Sequence, residues 1–131
     1  MTEGMPEDRF VRVYRKSEIV FQEDSTGGEM YIVCSGRVKL CTRLGSAGET
    51  VLAILEPGEH FGEMALIDSS PRSATAVAEE DDTRLVVLDR AKFLYLVQQQ
   101  PEFAFAMMET LSQRIREANL QLAQTRADRQ A

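Results

Sequence analysis

From Phe10 to about Leu88 short β-type runs alternate with turn chemistry at intervals of about ten residues, whereas after Asp89 no glycine recurs and the apolar spacing lengthens toward 3.6. A chain with that break folds as a sandwich, jelly roll or barrel followed by helices. The clearest run is Val38, Leu40, Thr42 and Leu44 alternating with Arg37, Lys39, Cys41 and Arg43, which predicts one buried and one wet face. Ile19 to Phe21, Met30 to Cys34, Val51 to Leu55, Ala74 to Ala78 and Leu85 to Leu88 supply further strands. Gly27-Gly28, Ser35-Gly36, the stretch Gly45 to Gly48 and Pro57-Gly58 separate them with residues that tolerate tight-turn angles.

Beyond the break, Asp89 is placed to cap a helix through about Gln99, and Pro101 opens a longer one with Glu102 in its first turn. On that second helix Ala104, Met108, Leu111, Ile115, Ala118 and Leu122 form a heptad seam. Phe103, Phe105 and Met107 add a second stripe near its start. Past Ile115 the flanks turn polar, with Arg114, Arg116, Glu117, Gln121 and Gln124. A seam that narrow predicts a helix projecting from the domain and pairing with a second copy of itself, so a homodimer is expected. Residues 1–9 are expected to be a lead-in, 10–122 the domain, and 123–131 a frayed end.

Size and charge exclude several classes. The 131 residues suit one domain, and 44% hydrophobic with 27% charged residues is ordinary globular composition. Fifteen basic against twenty-one acidic residues leave a net charge of -6, which opposes direct binding to nucleic acid or anionic lipid. No run spans a bilayer and Met1 to Pro6 lacks signal-peptide patterning, so a cytoplasmic protein is expected. Cys34 and Cys41 lack the companions of a metal site and are expected to be reduced thiols in or near the core. His60, the sole histidine, is expected to be satisfied or exposed, and no metal is expected. The acidic run Glu79 to Asp82 reads as a solvated turn.

The stretch from Pro57 to Ala76 interrupts the β pattern. Gly62 permits close backbone approach, Glu63 to Ile67 can make one or two helical turns, and Arg72 follows Pro71 just before a β-type run. Those are parts of a phosphate site. The sequence Phe61-Gly62-Glu63-Met64-Ala65-Leu66, followed by Pro71-Arg72-Ser73-Ala74-Thr75, closely resembles the phosphate-binding cassette of the cyclic nucleotide-binding domain family. That family includes catabolite activator proteins, regulatory subunits of cyclic AMP-dependent protein kinase, and cyclic nucleotide-gated channels. The likeness runs from about Phe10 to Leu122. It implies a mainly β fold, an eight-stranded jelly roll (a double-stranded β-helix), followed by two helices.

By the same resemblance, Glu63 matches the acceptor of the ribose 2′-hydroxyl and Arg72 the partner of the phosphate oxygens. Backbone N–H groups of Gly62, Met64 and Ala65 and the Ser73 hydroxyl match further contacts, and Leu40 and Leu52 match pocket-lining positions. Asn119 falls where the catabolite activators touch the base, and the ligand implied is cyclic AMP in preference to cyclic GMP. The turn Glu23-Asp24-Ser25 departs from the family's Glu-Gly-Asp, and Gly28 stands where an acidic residue is common. A helix-turn-helix, a kinase-inhibitor segment and a channel segment do not follow the resembling region. The residues offer no nucleophile–base pair and no Walker loop. The reading is a non-enzymatic sensor that signals to a downstream protein. A structural module that has lost its ligand and the sensor half of a transcription regulator are the alternatives.

Overall fold

The computed structural model describes residues 10–130. The expected lead-in over 1–9 and Ala131 lie outside the described residues. Eight strands come first: β1 (Val11–Tyr14), β2 (Ile19–Phe21), β3 (Met30–Ser35), β4 (Val38–Thr42), β5 (Thr50–Leu55), β6 (His60–Phe61), β7 (Thr75–Ala78) and β8 (Thr83–Leu88). A short helix, α1 (Glu63–Asp68), lies between β6 and β7, and α2 (Arg90–Gln99) and α3 (Pro101–Gln130) follow. The fold is the expected jelly roll with C-terminal helices. Its strands form two four-stranded sheets, ordered β1-β8-β3-β6 and β2-β7-β4-β5, and every pairing is antiparallel.

One core holds the sheets together. Tyr31, Val33, Phe61, Leu85 and Val87 enter it from the first sheet and Val38, Leu55 and Ala76 from the second. Each large apolar side chain so buried contributes roughly 1.5–3 kcal/mol. The alternation of apolar and polar residues makes these runs strands, because it gives each one an inward set at the period of the pleat.

The alternation fails at one place. Cys41, expected in or near the core, is fully buried, although it alternates along β4 with Leu40, which is itself half-buried against the core. The β4–β5 register shifts there: Leu40 pairs with Ala53 and Cys41 with Val51, leaving Leu52 as an extra residue. Burial pushes the Cys41 thiol pKa up. Cys34, expected in or near the core, is instead exposed, beside a second register shift between Val33 and Ser35. Leu44 lies past the end of β4 and is also exposed.

The chain divides into two compact units, one ending at Phe93 and one beginning at Leu94. Asp89 caps α2 as expected, its carboxylate accepting the Lys92 N–H at 2.8 Å. Residues 123–130, expected to fray, continue α3 without a break, since neither glycine nor proline follows Pro101 to interrupt it. The seam residues Met108, Ile115 and Leu122 are exposed, Ile115 to 62%. Of the second stripe, Met107 is buried and Phe103 half-buried, but Phe105 is exposed. Among the described residues no helix is long and apolar enough to cross a membrane.

Candidate functional site

Between β6 and β7 the chain turns sharply at Gly62, whose φ of 80° lies in the left-handed region that glycine enters without strain. Its missing side chain matters equally, because a Cβ there would lie 2.9 Å from Arg72 Nη1. Gly62 caps α1, and Glu63, Met64 and Ala65 form its first turn. A carboxylate at that end meets the exposed N–H dipoles favourably. Glu63 is 6% exposed and Ala65 is buried, while Met64 is exposed. The helix ends at Ser69, and Ser70 donates from both its hydroxyl and its N–H to Asp68, which lowers the Asp68 carboxyl pKa.

Arg72 is the centre of the site. Its N–H donates to the Ser25 carbonyl at 2.8 Å and its own carbonyl accepts the Asp24 N–H at 2.8 Å, so the turn after β2 clamps its backbone. Asp24 adopts a φ of 68°, where the family pattern has glycine; Asp is among the few other residues that enter this region at low cost. The Arg72 side chain is buried, 5% exposed for the whole residue. Its guanidinium lies 4.1 Å over the Phe21 ring and 5.8 Å from the centre of Tyr31. Phe21, Tyr31 and Phe61 pack together beneath it, Tyr31 on Phe61 being stacked at 5.2 Å. Gly27 leaves room on another side, where a Cβ would stand 2.8 Å from Nη2.

The guanidinium carries five donors. Nη1 donates to the Gly62 carbonyl at 3.2 Å, whereas the buried Nε has no hydrogen-bond partner. A buried, unsatisfied N–H on a fixed cation is unusual, and its natural complement is an oxyanion. The Gly62 carbonyl that Arg72 grips immediately precedes Glu63, so the cation is tied to the turn that carries the carboxylate. Such a pair suits a ligand that presents an anion and a hydroxyl close together. Burial is also what raises the neighbouring Tyr31 phenol to about 12, with Glu29 adding to the effect. The Tyr31 hydroxyl donates to Glu29 at 3.3 Å, and Glu29 pairs with Arg12 at 3.2 Å.

The structure thus brings together Gly62, Glu63, Met64, Ala65 and Arg72, with Ser73 following as an exposed bend. Leu40 faces the core, and Leu52, 56% exposed, sits on the edge strand β5. Asn119 is an exposed residue of α3 in the second unit. Sequence reasoning passed over Phe21 and Gly27, the seat of the guanidinium, and His60, whose Nδ1 lies 3.2 Å from Glu63 Oε1. Only the three-residue spacing of His60 and Glu63 across a glycine offered a signal. Among the described residues no group of three or more His, Cys, Asp or Glu side chains is arranged to hold a metal.

Residues 11–100 match the model of the cyclic nucleotide-binding domain. The chain is 44% identical over 112 residues to the cyclic AMP receptor protein of Thermus thermophilus, a match covering 85% of this chain and 51% of that protein. It is 31% identical over 102 residues to human cGMP-dependent protein kinase 2, covering 71% of this chain and 13% of the kinase. The crystal structure of the Thermus thermophilus catabolite activator protein superposes with a TM-score of 0.76 at 41% identity, covering 92% of this chain and 60% of that one. The chain spans about half the length of the bacterial receptor protein and far less of the kinase. A family model matched over most of the chain and a relative this similar show that the chain belongs to the cyclic nucleotide-binding domain family.

Proposed function

We propose that this chain is a non-catalytic sensor that binds a 3′,5′-cyclic mononucleotide, cyclic AMP in preference to cyclic GMP. The observation that carries the reading is the buried Arg72 guanidinium, held by Phe21 and the Gly62 carbonyl with Nε left over. In this reading Arg72 pairs with the phosphate oxygens, assisted by the N–H groups of Gly62, Met64 and Ala65 and by the Ser73 hydroxyl. Glu63 accepts the ribose 2′-hydroxyl. Leu40 and Leu52 lie against the sugar and base, and Asn119 reads the base edge. Similarity to a protein named as a cyclic AMP receptor supports the choice of base. Every role is binding, so the ligand leaves as it arrived.

The exposed Met108, Ile115 and Leu122 seam supports a second part of the reading, a homodimer formed through α3 that passes the bound state to a downstream protein. A calorimetric titration with cyclic AMP and cyclic GMP tests the whole. Saturable binding of cyclic AMP, tighter than cyclic GMP, with ligand recovered intact, is the expected result. No binding of either nucleotide overturns the reading.

A further inference from the structure

His60 has no part in the site as described so far, yet it is buried and lies against Glu63. Its backbone is fixed by pairing with Ile32 on β3. The αL turn at Gly62 then folds the chain back so that residue 63 returns beside residue 60, with Nδ1 3.2 Å from Oε1. As the ribose acceptor of the reading above, Glu63 accepts in this contact too, which places the hydrogen on Nδ1 and makes the ring the donor.

We propose that His60 is a positioning residue for Glu63: its Nδ1–H holds Oε1 and thereby aims the carboxylate at the 2′-hydroxyl of a bound ribose. The inference rests on the reading of Glu63 as the ribose acceptor given above. A glutamate side chain free to rotate is ordered only when the ligand arrives, and that ordering weakens binding. Holding Oε1 on a buried ring moves that ordering from binding into folding. The contact therefore sets how strongly the site distinguishes a ribose from a 2′-deoxyribose.

The test measures the affinities of cyclic AMP and 2′-deoxy cyclic AMP for the parent, His60→Asn and His60→Leu. The parent is expected to prefer cyclic AMP by about tenfold or more. His60→Asn, with an amide N–H2 near the place of Nδ1, is expected to keep most of that preference. His60→Leu is expected to lose it while binding the deoxy ligand as the parent does. A His60→Leu protein with the parent's full preference overturns the role of His60 and leaves that of Glu63 standing. A parent with no preference overturns the ribose assignment itself, without recourse to any His60 variant. Independently of whether the leucine variant folds, nitrogen NMR of this single histidine should show the proton on Nδ1, and a neutral ring protonated on Nε2 alone overturns the proposal.

Discussion

In the β-rich unit the polar side chains Arg72, Glu63 and His60 are buried, while in the helical unit Phe105, Met108, Ile115 and Leu120 are exposed, Leu120 to 67%. Each unit departs from the usual distribution of polar and apolar residues, in opposite directions. Burying a guanidinium is costly unless its donors are met, so the proposed ligand would supply what the buried Arg72 lacks. Leaving an apolar seam in water is tolerable for single residues, but a heptad run of them is the pattern that the proposed dimer would cover. In the proposed reading, the difference separates a recognition site preformed inside one unit from a surface on the other that association would complete.

The two units should therefore respond differently to substitution. The largest effect is expected in the β-rich unit, where Phe61→Ala removes a fully buried ring that stacks on Tyr31 and should cost about 3–5 kcal/mol in chemical unfolding. A loss below about 1 kcal/mol would mean that this core is not the anchor of the site. Next, Arg72→Ala should weaken cyclic AMP binding by roughly 10- to 150-fold, the effect of losing a charge-assisted hydrogen bond, while the protein stays folded. Near-parental affinity in calorimetry would remove Arg72 from the site.

For the helical unit, Ile115→Asp places a charge in the exposed seam and should raise the dimer dissociation constant by about tenfold or more in sedimentation, with the β-rich unit unchanged. A parent that sediments as a monomer at tens of micromolar would break the comparison at this point. A subtler difference concerns pH. Because burial raises the Tyr31 phenol from 10.0 to about 12, the folded state favours its neutral form. That contribution is complete below pH 10.0 and is lost as pH rises to about 12. Absorbance titration should show one of the three tyrosines ionising late, and loss of the late step in Tyr31→Phe identifies it. The smallest effect is expected from Leu120→Ala, which should change the stability of the monomer by no more than about 0.5 kcal/mol.

Much of the architecture was legible because the strands carry their own period. Ile19 to Phe21 and Met30 to Cys34 appear in the structure within a residue of their expected bounds. β6, with two residues, is too short to show a period and exists because β3 offers it a partner. β1 alternates weakly, with Val13 exposed, and was not distinguished within the β-type region. The inversion at Cys41 follows from a bulge on the partner strand, which local sequence does not encode. At the site, Gly62, Glu63 and Arg72 were legible as a spaced motif, since they lie within one connection. The seat of Arg72 was not, because Phe21 and Gly27 reach it from a distant part of the chain through tertiary packing. Nor did the residue list reveal that Asp24 and Ser25, where the turn departs from the family pattern, hold the arginine's backbone.

The central claim is that the buried Arg72 guanidinium receives the phosphate of a cyclic nucleotide, and the Nε–H of that side chain reports on it directly. In nitrogen–proton NMR, with Arg72→Lys used to assign the resonance, saturation with cyclic AMP should shift the Arg72 Nε–H signal strongly, while adenosine, which has the base and sugar without the phosphate, should leave it in place. An Arg72 signal that stays unmoved while cyclic AMP binds and shifts amides elsewhere would contradict the account.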